Sequence, residues 1–293
     1  MRRNCFDAAG DLVESDEARG LTTPQRVRPA RTNAAIQNGC LMSQDATFYA
    51  AAIPAVTLLG LSKGGFAGIG MLALPLMALA ISPVKAAAIM IPILLVQDAL
   101  GVWMYRKTWD TRNLLILLPG AALGVFAGYI LAARVSTAAV SLALGVISVL
   151  FALHRLRARK TTAHFDRSPL ATGLVCGTLS GFTSMIAHAG TPPFQFYVLP
   201  QRLQRDIFVG TSVIFFAAVN WMKLVPYHAL GEMTRENLLT SLGLFPLALV
   251  STWLGVLLVR RFSAERLTNV LYILLLLVSA KLMYDGAIGL LAR

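Results

Sequence analysis

Five residues that ionise or hydrogen-bond strongly sit where the chain is otherwise apolar: Lys63, Asp98, His188, Asn220 and Lys223. A lysine at the centre of a membrane helix costs about 2.5–3.5 kcal/mol on insertion scales, so Lys63 needs a partner, a cavity or a route by which its stem can snorkel to water. Directly after it come Gly64 and Gly65. A fixed ammonium beside glycine amides and a helix end is what an oxyanion requires. His188 is followed by Ala-Gly-Thr-Pro-Pro; it is either a satisfied structural group or a group that titrates near neutrality and suits proton coupling. Asn220 and Lys223 are three apart and so share one helix face, although Lys223 could also reach toward Tyr227 and His228. Asp98 is the one acid well inside an apolar span of the first half. It is a salt-bridge partner for Lys63 or Lys223, or a protonatable coupling group. Thr191, Thr211 and Ser212 could donate to a bound anion or bond helix to helix. The candidate substrate-binding set is therefore Lys63, Gly64, Gly65, His188, Thr191, Asn220 and Lys223, with Asp98 and His188 as coupling or ion-pair groups.

These residues cluster around two stretches that break the apolar pattern. The first runs Leu61-Ser-Lys-Gly-Gly-Phe-Ala-Gly-Ile-Gly-Met-Leu-Ala-Leu-Pro75, and its echo is Leu179-Ser-Gly-Phe-Thr-Ser-Met-Ile-Ala-His-Ala-Gly-Thr-Pro-Pro193. Each interior Gly costs a helix about 1 kcal/mol and each interior Pro about 3 relative to Ala. Irregular backbone survives at membrane depth only where protein or a watery cavity surrounds it. Two broken apolar segments at matching places in two halves mark a transporter's substrate site.

The chain is 56% hydrophobic and 14% charged, with a mean hydropathy of +0.66. A soluble domain carries nearer a quarter charged residues, so the fold class is an all-α polytopic membrane protein. The net charge of +12 falls in the gaps between apolar runs, as topology requires, and implies no nucleic-acid partner. Cys5, Cys40 and Cys176 form no CxxC pair, and no metal or cofactor is expected; Cys176 is read as a packing residue.

Residues 1–43 have no sustained apolar period and read as a disordered tail, or as residues ahead of a true start at Met42. The first repeat spans 44–154, a basic cytoplasmic linker 155–167, and the second repeat 168–293. Apolar segments are expected at about 47–62, 71–81, 84–105, 113–133 and 137–153, then from 169, up to Leu199, and near 207–228, 237–259 and 267–290. Asp110 or Thr111 should cap the helix that carries Gly120, Gly124 and Gly128, a small-residue face for close packing in lipid. Ser168-Pro169 should start a helix with Pro in its first turn. Lys281 and Asp285 form an i,i+4 pair. The internal match extends beyond the breaks, pairing Asp98 with Asn220 and Tyr105 with Tyr227 at an offset of 122. Four spans per half put the tail, the 106–112 loop, the linker and the C-terminus on one side, with 16 Lys/Arg against 7. On that count both termini are cytoplasmic. The stretch around each break is also long enough for a re-entrant hairpin, which would give ten membrane segments instead of eight.

The combined pattern resembles the sulfite exporter TauE/SafE family of two-repeat permeases. The resemblance rests on Ser62-Lys-Gly-Gly-Phe-Ala-Gly-Ile-Gly with Pro75, and on Ser180-Gly-Phe with His188-Ala-Gly-Thr-Pro-Pro193. The Asp98–Tyr105 run, Trp109-Asp110, Gly210-Thr211 and Asn220-Trp-Met-Lys223 support it. It covers about residues 46–290. The chain has Gly-Ile-Gly at 68–70 where the commoner form has three glycines, and no triple glycine in the second half. The resemblance implies export or uptake of small anions such as sulfite, sulfonates or other organosulfur and carboxylate compounds. The expected function is a secondary transporter of such an anion in the cytoplasmic membrane, working by alternating access, with protons as the candidate coupling ion. Its partners are the anion and membrane lipid, and self-association is left open. A channel, a cargo-free membrane scaffold and an intramembrane enzyme are the alternatives. Against the enzyme stands the lack of a Gly-x-Ser-x-Gly elbow or His-Glu-x-x-His site, and no Walker A motif offers ATP drive.

Overall fold

Glycine and proline punctuate the apolar runs, and the computed structural model, which describes residues 33–63, 68–157, 169–259 and 265–291, places helix ends at that punctuation. In order these are α1 (Asn33–Lys63), a 3₁₀ turn (Ile69–Leu72), α2 (Ala73–Ala78), α3 (Pro83–Tyr105), α4 (Thr111–Ala132) and α5 (Thr137–Arg157). Then follow α6 (Leu170–Ala187), α7 (Thr191–Val198), a 3₁₀ turn (Leu199–Gln201), α8 (Arg205–Ala229), α9 (Arg235–Val259) and α10 (Glu265–Leu291). No strand occurs among the described residues. Seven of the described helices are long and apolar enough to cross a membrane.

The expected start signals act locally. Asp110 caps α4 by accepting from the Asn113 amide at 2.7 Å, and Ser82 caps α3 with Pro83 at its first position. Pro169 is the N-cap of α6 instead of its first helical residue. α1 begins at Asn33, so it reaches back into the stretch expected to be a tail, while residues 1–32 lie outside the described residues. The chain divides into two units, Met1–Leu41 and Met42–Arg293, and the helix packing and the site belong to the second.

Three close packings fix the helix directions. On α4, a Cβ at Gly120 would lie 2.3 Å from the Leu174 carbonyl oxygen, and one at Gly124 would lie 2.0 Å from that of Thr178. Gly128 meets the Met185 side chain further along, so α4 and α6 run parallel, with backbone against backbone at Gly120 and Gly124. The α1–α9 contact is alike: Ser251 donates to the Val56 carbonyl and Gly255 abuts Leu61. α3 is parallel to α9, through Lys85–Glu236 and the Ser241–Ile89 hydrogen bond. By contrast α3 and α8 are antiparallel, with Asp98 at Asn220 and Thr108 at Gly210. So are α5 and α10, with Ala138 at Gly286 and Gly145 at Ser279.

These directions overturn one expectation. α1 and α3 both lie parallel to α9, so both start at the same face, and the chain between them must turn back through α2. Likewise α6 and α8 start together: the Tyr197 ring at the end of α7 lies against Gly173 near the start of α6, and Gln201 pairs with Asn113 at the start of α4. Each break thus lies at a hairpin, so among the described helices α3, α4, α5, α8, α9 and α10 run from one face to the other while α1 and α6 turn back. The 106–110 loop and the connection between α5 and α6 therefore lie at the opposite face from the start of the first span and the end of α10. They cannot share a side with the start of the first span and the end of α10, as four spans per half would require.

Candidate functional site

At the tip of the first hairpin Lys63 is the last residue of α1, and Gly68 reopens the described chain in the left-handed region, φ 99°. Gly70 then passes so near the end of α1 that a Cβ there would lie 2.6 Å from Ser62 Oγ. The second tip is tied by hydroxyls. Ser180 Oγ donates to the Gly190 carbonyl at 2.7 Å and Thr183 Oγ1 to that of Ala189 at 3.1 Å. The turn itself is made by His188, left-handed at φ 49° with its amide donating to the Ser184 carbonyl. Non-glycine residues rarely adopt that conformation, and it costs of order 1 kcal/mol where it occurs. Thr191 then starts α7, with Pro192 and Pro193 in its first turn, where a missing amide donor harms nothing.

Between the two tips pass α3 and α8. Asp98, 1% exposed, accepts Lys63 Nζ on one carboxylate oxygen and Asn220 Nδ2 on the other, the latter at 2.6 Å. One turn further along α8, Lys223 is fully buried. Its ammonium reaches the Ser184 carbonyl at 3.3 Å and His188 Nδ1 at 3.1 Å. An ammonium is donor-only, so Nδ1 is the acceptor and the neutral ring carries its proton on Nε2. That Nε2 is buried and has no partner among the described residues.

A cavity of about 70 Å³ opens among these groups, room for a small ion with little else. Lys63, His188, Thr191, Asn220 and Lys223 line it. The lining stripe on α8 runs through Phe208, Ser212, Phe216, Asn220 and Lys223, spaced by three or four as one helix face demands. Phe216 also lies under Lys63, with Nζ 6.0 Å from the ring centroid. Gly64 and Gly65 lie outside the described residues. Ser62, Ser184 and Phe216 belong to the site and escape a reading of the sequence. Ser184 contributes a main-chain oxygen, which leaves no trace in residue type. Phe216 could have been found as the residue four before Asn220.

Other candidates fall elsewhere. Thr211 accepts from the Asp110 amide at 2.8 Å and donates to the Ile207 carbonyl, joining α8 to the start of α4. Lys281 pairs with Asp285 on a half-exposed face, and Cys176 is buried in packing. Among the described residues no three His, Cys, Asp or Glu side chains gather where they could hold a metal.

The family model for the sulfite exporter TauE/SafE matches residues 52–282, a range that includes every one of the cavity's charged groups. The chain belongs to the TauE/SafE family. Its helices and its family make it a multi-pass membrane protein of a transporter family. No curated protein and no solved structure matches this TauE/SafE chain.

Proposed function

We propose that the protein is a secondary transporter that carries a small anion, a sulfite, sulfonate, other organosulfur or carboxylate ion, across the cytoplasmic membrane. The observation that carries this reading is Lys223: a fully buried ammonium lining a cavity, with only neutral acceptors in contact among the described residues. Burying a cation without a counter-charge is costly, and an anion in the cavity would supply one. Thr191 and the His188 Nε2–H would add oriented hydrogen bonds, and His188 would take up the proton if transport is proton-coupled.

The carrier is built from two inverted repeats, 44–154 and 168–293. The support is reciprocity. The third crossing-length helix of each half packs against the first of the other, α4 on α6 and α9 on α1, by the same close glycine contacts. Matching helices, α3 with α8 and α5 with α10, meet antiparallel, as a two-fold axis in the membrane plane demands. The orientation comes from charge. From residue 42 on, with the membrane-embedded Lys63, Lys223 and Lys281 set aside, 13 Lys/Arg lie at or near the face holding the α5–α6 connection and 4 at the other. Counting the tail as well makes it 13 against 10. The face with the basic connection is therefore cytoplasmic and both ends of the 42–293 unit lie outside.

The test is flux of sulfite, methanesulfonate, sulfate and acetate into proteoliposomes, with and without an imposed pH gradient. Saturable flux of one or more anions is expected, at least tenfold lower in Lys223→Met and unchanged in Lys281→Ala. Wild-type flux in Lys223→Met would refute the site, and no anion flux from folded wild type would refute the function.

A further inference from the structure

Resting on the anion-site reading, we propose that the cavity selects monoanions over dianions, because Asp98 cancels the charge of Lys63 and leaves Lys223 as the one unbalanced cation. Among the described residues the charged side chains at the cavity are Lys63 and Lys223, with Asp98 immediately behind them. Among the described residues Asp98 makes its direct ion pair with Lys63 and not with Lys223. Its two oxygens are taken by Lys63 and by Asn220 at 2.6 Å, and it is 1% exposed. The Phe216 ring lies 6.0 Å from the Lys63 ammonium. With His188 neutral the constellation carries one net positive charge. A single negative charge brings the buried site to neutrality. A second leaves an uncompensated charge where low dielectric makes it expensive. The hydrogen-bond groups agree, since the His188 Nε2–H is a neutral donor without a partner and can serve an anion's oxygen without adding charge.

Lys63 and Lys223 therefore do different work. Lys223 binds the cargo, and Lys63 tethers the first hairpin tip to α3. Asp98 is a specificity-determining residue that acts by subtracting charge.

The experiment is binding of methanesulfonate and sulfate to purified full-length protein by isothermal titration calorimetry near neutral pH. The two ions have nearly the same tetrahedral shape and differ by one charge. Wild type is expected to bind methanesulfonate at least tenfold more tightly than sulfate. In Asp98→Asn the freed Lys63 should shift that ratio toward sulfate by at least tenfold. In the double variant Lys63→Met/Asp98→Asn, which restores one net charge, the ratio should return to the wild-type value. An acetate arm reports whether a carboxylate monoanion is accepted alongside a sulfonate. Sulfate binding as tight as methanesulfonate in wild type overturns the proposal, as does an unmoved ratio in Asp98→Asn. If the single variant does not fold, the wild-type ratio and the double variant decide. If wild type binds none of the three ions, the anion site itself is wrong and the selectivity falls with it. A wild type that binds anions without regard to charge overturns the selectivity alone.

Discussion

Replacing Gly124 with alanine should destabilise the protein by about 2 kcal/mol, and replacing Gly243 should not. The added Cβ at Gly124 would sit 2.0 Å from the Thr178 carbonyl oxygen and 2.7 Å from the Phe182 amide nitrogen. Both obstacles are backbone, so no side chain can rotate out of the way. The two helices would have to part by more than an ångström, and the neighbouring contacts at Gly120, Gly177 and Gly181 would loosen together. Overpacking of this kind costs about 1–3 kcal/mol, and a rigid backbone obstacle belongs at the upper end. Alanine recovers up to about 1 kcal/mol of helix propensity relative to glycine, which leaves a net loss near 2. At Gly243 a Cβ meets nothing within 4 Å and the position is exposed. Only the propensity gain remains there, a stabilisation of up to about 1 kcal/mol. Thermal unfolding in detergent, followed by tryptophan fluorescence, should give opposite shifts for the two variants. Equal midpoints would sink the packing argument, because the two substitutions are chemically identical and differ only in what surrounds them.

Thr211→Val should cost about 1 kcal/mol in the same assay, because it removes the acceptor for the part-buried Asp110 amide, and it should leave anion affinity unchanged. Loss of anion binding in that variant would return Thr211 to the site. For the topology, Arg293→Cys and Arg159→Cys, each made in a variant without native cysteines, should respond oppositely to a membrane-impermeant maleimide on intact cells. Labelling at 293 and protection at 159 are expected. The reverse would restore cytoplasmic termini.

Much of this architecture is legible in residue types, and the places where it is not have definite causes. Asp110 three residues before Asn113 is a capping signal, and Gly120, Gly124 and Gly128 are a packing face; both act within one or two turns, where sequence spacing and space agree. The partnership of Lys63 with Asp98 is one of two pairings open to the only acid deep in the first half. Direction is harder. The residues between Thr47 and Pro83 hold enough apolar length for a crossing with a half-helix or for a hairpin, and hydropathy weighs both alike. The decision comes from α9. It lies beside both α1 and α3 and forces them parallel, through contacts such as Val56 with Ser251 and Ile89 with Ser241, each more than 150 residues apart. No local pattern carries that information. The basic 154–167 stretch reads as cytoplasmic from its charge alone, and the helix directions put the end of α10 at the opposite face from the end of α5.

The two hairpin tips are tethered at the same spacing but by different chemistry. Lys63 reaches Asp98 and His188 meets Lys223, each pair 35 residues apart. The first tether joins a part-buried ammonium to a buried carboxylate, and removing the lysine would leave that buried charge without its partner. The second joins a cation to a neutral ring nitrogen, and an anion entering the cavity competes for that same cation. Binding therefore acts unequally on the two halves. On the proposed reading it would draw Lys223 from His188 and loosen one hold on the second hairpin, whose tip the Ser180 and Thr183 hydroxyls continue to tie. The Lys63–Asp98 tether gains nothing from the anion and holds the first hairpin where it is. A site that weakens one tether and spares the other couples the presence of cargo to movement of one element. On the proposed reading that asymmetry would be lost if Asp98 were neutralised, so the residue that sets the charge of the cavity would also decide which hairpin the cargo loosens.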